Sequence, residues 1–328
     1  MATLATDVLT FDERVKRMDK NGTRTIIEIA AKSNRSLASM MVKSGNETNG
    51  NTSVSRKTYP SGTWTSMTEG VGSERSTTEE IWDASGTLEI FSHIPKRYVD
   101  GAPDKRAARM QEEAAFIIGL SEEVEDTVFS GDRATNHKEF TGLKQRYNSS
   151  TSGDNFGQVV SGGGTGATMT DIFYVGWGER QCSLFFGKNH MGGLQTHDLG
   201  VDKVDLDGNG KHIMAYSTHY EWNVGLMVED YRSIARIANI DATDSTTLTA
   251  ANIDELMIDA YYRIPSKLQG PGGKWYCNRT VAAQLHKDAR NNTQMNLSLD
   301  TWEGKQIPHF LGSPIIQTDF LTNTNSNI

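Results

Sequence analysis

The sequence predicts an α+β protein with one long helix, a strand-rich second region and an extended polar segment that cannot make a core of its own. Three observations carry this. From Asp104 to Phe129 apolar residues fall at helical spacing, with Met110, Ala114, Ile117, Leu120 or Ser121, Val124 and Val128 in the stripe. Beyond His212, the residues Met214, Tyr216, Thr218, Tyr220, Trp222, Val224 and Leu226 recur at every second position, the period of a strand with one buried face. Between 45 and 92 aliphatic side chains thin out and Thr, Ser and Gly take over.

At 328 residues the chain is long enough for two compact domains, or one with large excursions. Its 33 basic against 41 acidic residues leave a net charge of −8, which argues against a protein whose task is gripping a phosphate backbone. Cys182 and Cys277 sit in apolar, strand-like contexts and read as buried thiols, not as a disulfide framework or a metal knuckle. The N-terminal stretch "MATLATDVLTFDERVKRMDKNG" lacks an apolar signal core, and no run approaches a membrane span. The expectation is a protein made and used in a cytoplasm.

Within residues 1–44, "RTIIEIAAKSNRSLASMMV" is amphipathic, with Ile26, Ile29, Leu37, Met40 and Met41 as apolar members, and reads as a helix. In 45–92 the apolar residues Tyr59, Trp64, Met67 and Trp82 are thinly spread, and "PSG" and "EGVG" mark turns. Such a segment buries too little surface to offset its own ordering entropy. It is either disordered or an extended hairpin whose partner surface lies elsewhere.

The helix "DKRAARMQEEAAFIIGLSEEVEDTVFSG" predicts a rod about 35 Å long. Its acidic residues Glu112, Glu113, Glu122, Glu123, Glu125 and Asp126 read as a solvated or partner-facing surface, since no His or Arg partner motif accompanies them. Residues 148–170 form a Ser/Gly-rich joint, the clearest boundary between two regions. Its "SGGGTGAT" lacks the lysine of a phosphate loop, and Ala167 stands where the third glycine of a dinucleotide fingerprint belongs.

After the joint, "DIFYVGWG" and "QCSLFFG" read as strands, and "DYRSIARIANID" is ambiguous between helix and strand. "TAANIDELMIDAYYRI" predicts a helix started by an Asn252/Glu255 capping box, with Ile253, Leu256, Met257, Ala260, Tyr261 and Ile264 as its apolar face. The strand "KWYCNR", the helix "TVAAQLHKDARN" and the extended "GKQIPHFLGSPIIQTDFL" complete a mixed α+β region.

One stretch invites site chemistry. "DLDGNGKHIMAY" matches a calcium loop at Asp205, Asp207, Asn209 and Gly210, but its twelfth place is Tyr216 where a bidentate glutamate belongs. "DGNG" reads better as a hairpin turn, and Tyr216 as a core residue of the following strand. The alternative function is a cytoplasmic calcium-dependent binding protein using the Asp205–Asn209 loop. The eight histidines make no HExxH or three-ligand cluster, His190 and His197 read as polar loop residues, and no Ser/His/Asp arrangement stands out. No catalytic, cofactor-binding or metal-ligating residue is assigned, so the expectation is no enzyme and no cofactor.

The order of pieces, together with "YVGWGE", "GLQTHDLGV", "YEWNVGLMVEDYRSIARIANID" and "WYCNRTVAAQL", resembles the major capsid proteins of tailed bacteriophages with the Hong Kong 97-like fold. The resemblance implies an N-terminal arm (1–44), an extended hairpin loop (45–92), a peripheral domain (93–164) with its spine helix at 104–129, an axial domain (165–290), and a return to the peripheral domain (291–328). It places the loop across a neighbouring subunit, with Lys57, Tyr59, Trp64, Met67 and Trp82 as interface candidates beside Glu112, Glu122 and Glu123 of the helix. Some relatives join a loop lysine to a partner asparagine; Lys57 is the one lysine of the loop and nothing identifies its partner, so that chemistry is not carried over.

The implied function is the structural subunit of an icosahedral phage head that self-assembles into capsomers and encloses double-stranded DNA. The implied partners are further copies in hexamers and pentamers, scaffolding and portal proteins, and packaged DNA held without sequence-specific binding; no membrane is involved. The implied location is the virion capsid, assembled in the host bacterial cytoplasm.

Overall fold

A computed structural model describes residues 18–19, 22–23, 36–151, 155–166, 168–205, 210–243, 252–290, 297–302, 305–325 and 328. The short strands β1 (Met18–Asp19) and β2 (Gly22–Thr23) pair with each other. Two larger sheets follow. The first combines β3 (Val42–Ser44), β4 (Gly50–Thr58), β5 (Thr77–Pro95), β8 (Cys182–Phe186), β9 (Gln195–Val204) and β10 (Ile213–Val228). Its order is β3-β8-β10-β5-β4, with β9 also on β10. The second sheet runs β13-β14-β15-β12-β7-β11-β6. Its members are β6 (Val159–Ser161), β7 (Met169–Gly176), β11 (Ile234–Asp241), β12 (Gly273–Cys277), β13 (Leu297–Trp302), β14 (Lys305–Phe310) and β15 (Ser313–Gln317).

The helices are α1 (Lys96–Asp100), α2 (Lys105–Ser130), α3 (Leu143–Arg146), α4 (Ile253–Tyr262) and α5 (Arg279–Arg290). Asp104 starts α2 by accepting from the backbone N–H groups of Arg106 and Ala107 at 3.0 and 3.1 Å. Val124, Val128 and Phe129 at the far end of α2 pack with Leu184 and Leu226 of the first sheet and with Phe173 and Tyr276 of the second. One core therefore spans both sheets. A second core joins α4 and α5 to the other face of the second sheet through Met257, Ala260, Val281 and Leu285 against Ile172 and Trp275.

Several expectations change. The helical stripe of α2 is buried only toward its C-terminal end; Met110 is 58% exposed and Ile117 41%. Periodicity marks the apolar face but not what covers it. On β10, Thr218, Tyr220, Val224 and Leu226 are buried as the alternation predicts, whereas Met214 is exposed and Tyr216 only partly covered. Ala215, Ser217, Asn223 and Met227 on the opposite face are buried too, so both faces of β10 are covered along much of its length. "DYRSIARIANID" resolves into a 3₁₀ turn at Tyr231–Ser233 and the strand β11, buried continuously from Ile234 to Ile240, as a strand covered on both sides should be.

Asn252 does start α4, but with φ 46° and no side-chain cap; its amide instead donates to Glu255 at 3.5 Å, so the capping box is not made. In the arm, Ile26 and Ile29 lie outside the described residues, and the described end of that stretch is a 3₁₀ turn at Leu37–Ser39 running into β3. The glycine joint is not free: the N–H groups of Gly162 and Gly164 donate to the carbonyls of Ala238 and Asn239 at 2.7 and 2.9 Å, prolonging the β6–β11 pairing. Those two N–H groups are unavailable to a phosphate, and a Cβ on Gly164 would meet the Met169 sulfur at 2.6 Å. The sheets also ignore a cut near residue 165, since β8, β9 and β10 return to the sheet of β4 and β5.

Candidate functional site

The polar segment after residue 45 is a hairpin. β4 pairs antiparallel with the first part of β5, from Gly50 opposite Ala84 to Thr58 opposite Thr77. β5 then continues without a break and pairs with β10, from Ser85 opposite Gly225 to Pro95 opposite Ala215. The root of the hairpin is fixed to the body. There Asp83, 4% exposed, receives Arg146 Nη1 at 2.7 Å and the backbone N–H of Val228 at 3.1 Å. Glu47 accepts from Trp82 Nε1 at 3.0 Å and from the Thr52 hydroxyl, and these two donors, Thr52 foremost, hold its carboxyl below the usual range. Arg133 lies over the Trp82 ring at 5.5 Å.

Along the limb, Lys57 pairs with Glu79 at 2.8 Å, Arg56 lies 5.8 Å from the Tyr59 ring centre, and the Thr58 and Thr77 hydroxyls share a hydrogen bond of 2.6 Å. The tip, 59–76, is held by local bonds such as Ser61 N–H to Glu74 at 2.7 Å. Trp64 is 100% exposed, Met67 fully exposed and Tyr59 76% exposed. A tryptophan and a methionine held in water forfeit on the order of 2 kcal/mol each of burial energy. Such an exposed apolar pair makes the tip a candidate interaction surface.

A second apolar feature lies where α2 crosses β5. A groove of about 380 Å³ is lined by Leu88, Ile90, Ala115, Phe116, Gly119 and Leu120. Glu123 stands on its rim and on that of the adjoining cavity of about 440 Å³. Glu112 and Glu122 lie half-buried on the same helix, and Glu123 is exposed. The sequence candidates thus fall into two groups: Lys57, Tyr59, Trp64 and Met67 outward on the hairpin, and the glutamates on α2. Trp82 belongs to neither, being engaged at the root.

Asp205 Oδ2 accepts from the Gly210 N–H at 2.8 Å, Asp207 and Asn209 lie outside the described residues, and Tyr216 sits within β10 beside Ile94 and Tyr98. Ile213 opposite Val204 closes the β9–β10 hairpin that the turn residues predict. No group of three His, Cys, Asp or Glu able to hold a metal occurs among the described residues. His197 is on a strand, not in a loop, stacked on His219 at 6.1 Å.

Sequence reasoning missed Glu125. It is fully buried on α2, where its Oε1 accepts from the hydroxyls of Ser36 and of Thr318, the latter at 2.8 Å. One carboxyl thereby ties the arm turn and the C-terminal segment to the long helix. Helical spacing placed it among surface acids, and partners 89 and 193 positions away leave no local signal.

The structure is similar to that of bacteriophage Epsilon15, with 28% sequence identity, 99% of each chain covered and a TM-score of 0.76. It shares its fold with the bacteriophage JBD30 capsid, at 10% identity, 91% of this chain and 96% of that one covered, and a TM-score of 0.53. No curated protein matches the sequence. A long helix across a sheet with a hairpin thrown clear of the body is here the Hong Kong 97-like fold of a phage head subunit, a structural protein that self-assembles into a capsid shell. The particular family is the major capsid protein GP7: its model matches residues 19–328, and the chain belongs to it.

Proposed function

We propose that each copy lays its β4–β5 hairpin across the next copy, with Trp64 and Met67 at the tip as anchors and the α2 surface bearing Glu112, Glu122 and Glu123 as part of the receiving side. The observation that carries this reading is full exposure of two large apolar side chains at the end of a ribbon anchored at its root. Hairpin tip and receiving surface differ, so the contact is head-to-tail and closes into rings. Rings of five and six copies then form an icosahedral shell, each subunit making several modest contacts whose sum holds it.

In this reading 1–44 is an arm, α2 is the spine helix of a peripheral domain at 93–164, 165–290 is the axial domain, and 291–328 returns to the peripheral domain. The shell encloses double-stranded DNA without sequence-specific contacts, as the net charge of −8 favours. Scaffolding and portal proteins assist assembly in the host bacterial cytoplasm, and the chain performs no enzymatic turnover. Electron microscopy of the purified protein, alone and with a scaffold, tests it: closed shells or five- and six-membered rings are expected. A protein that stays monomeric under every assembly condition overturns it.

A further inference from the structure

Asparagine is followed by glycine at Asn21, Asn49 and Asn209, and at Asn49 both residues of the step belong to the described part of the chain. Asn49 is exposed in the bend that leads into β4, and Gly50 is buried as the first residue of that strand. Packing dictates the glycine: a Cβ there would meet the Asp83 carbonyl oxygen and Trp82 Nε1, each at 2.8 Å. The hairpin root thus requires a residue without a side chain directly after an asparagine.

The hydrogen bonding leaves both reacting groups unengaged. The Asn49 carbonyl accepts from the Ser85 N–H at 3.1 Å, which makes Asn49 and Ser85 a bonded pair of the antiparallel ladder. Successive residues alternate, so the Gly50 N–H and carbonyl point away from β5, and on that side the carbonyl accepts from the Glu47 N–H at 3.3 Å. Among the described residues the Gly50 N–H has no acceptor on that side, and the Asn49 carboxamide has no hydrogen-bond partner. Nucleophile and acyl carbon belong to one dipeptide, so their reaction is unimolecular.

We propose that Asn49 is a self-modifying site that cyclises onto Gly50 and opens to isoaspartate, and that the Trp82 indole governs how fast it does so. The Gly50 nitrogen loses its proton to hydroxide and adds to Asn49 Cγ. The Cγ–Nδ2 bond then breaks, and ammonia leaves with a proton drawn from water. One water opens the resulting succinimide. Breaking the ring between Cγ and the Gly50 nitrogen gives aspartate; breaking it between that nitrogen and the Asn49 backbone carbonyl carbon gives isoaspartate. In isoaspartate the backbone runs through the former side chain and gains a methylene, and the carbonyl that accepted from Ser85 becomes a free carboxylate outside it. The indole lies against Gly50 and is held by Glu47, which keeps hydroxide from the nitrogen until the root opens. The chemistry needs no second copy, so it stands or falls independently of the shell reading.

The test follows the full-length protein at mildly alkaline pH, native and in denaturant. Trypsin places Asn21, Asn49 and Asn209 in separate peptides, 21–24, 44–56 and 204–211. Peptide 44–56 should gain the mass of an acid in place of an amide at Asn49, chiefly as isoaspartate, and more slowly in the native chain than in the unfolded one. Trp82→Ala should speed this severalfold in the native chain while Asn21 and Asn209 keep their wild-type rates. If that variant does not fold, Trp82→Phe, which keeps a ring but loses the bond to Glu47, should speed Asn49 by less. Asn49→Gln should leave peptide 44–56 an amide at that position. Isoaspartate chains, separated by their added charge, should exchange hydrogen faster in Gly50–Thr58 than unmodified chains. A native chain whose Asn49 is still an amide once the unfolded chain has converted overturns the proposal. So does aspartate without isoaspartate, which shows direct attack by water, and so does an Asn49 rate that neither Trp82 variant changes.

Discussion

The indole N–H of Trp82 donates to Glu47 Oε2 at 3.0 Å, so the aromatic residue at the hairpin root is committed within its own chain. With Arg133 over its ring, it acts as a clamp. Trp82→Ala is expected to lower the Tm, through loss of a charge-assisted hydrogen bond and a partly exposed cation–π contact. Hydrogen exchange should quicken in Gly50–Thr58 and leave β7 and β11 unchanged. Trp82→Phe, keeping a ring under Arg133, should fall between the two.

The tip behaves in the opposite way. Trp64→Ser with Met67→Ser is expected to leave the unassembled subunit's Tm unchanged, within about 0.5 kcal/mol, since neither side chain is buried. Shell yield by sedimentation should drop by at least about tenfold, the effect of losing one to two kcal/mol per contact. A double variant that assembles normally would remove the tip from the interface.

Glu125 gives a pH dependence. Burial raises its pKa from the ordinary 4.5, against the pull of the Ser36 and Thr318 hydroxyls. Between that ordinary value and the raised one, the folded chain holds a proton that the unfolded chain has lost, so stability falls as pH rises through this window. Below it there is no penalty. Glu125→Gln, which does not titrate, should therefore melt higher than wild type at neutral pH, and the gap should close below about pH 4. A gap of constant size from acid to neutral pH would show that ionisation of Glu125 is not its cause.

Both thiols should be inert in the folded protein. Cys182 and Cys277 are fully buried, and burial pushes the Cys277 thiol up to about 12 and that of Cys182 higher than its usual range. A thiol reagent at neutral pH should label neither until denaturant is added. Labelling of Cys277 without denaturant would mean that β12 opens locally.

Much of this was legible in the sequence because it rests on local periodicity. The long helix spans Lys105–Ser130 where spacing sets 104–129, and the alternation from Met214 lies on β10. What was hidden depends on distant partners. β10 pairs edge to edge with β5 and β8, chain roughly 130 and 40 residues upstream, and no sequence window contains both. The clustering of Asp171 with Arg236, Lys144 and Asn325 is hidden for the same reason. Exposure of Met110 and Ile117 was invisible differently: their stripe is a normal burial signal whose cover the single chain lacks.

The unbroken run of β5 from hairpin to α1 has a mechanical consequence. A pull on the tip along the ribbon loads the strand in shear against β10, from Ser85 beside Gly225 to Pro95 beside Ala215. Because ladder bonds lie across the strand direction, such a load strains many of them together instead of peeling them one at a time. With the hairpin docked on the next copy as proposed above, tension between subunits would pass through the backbone of a single strand.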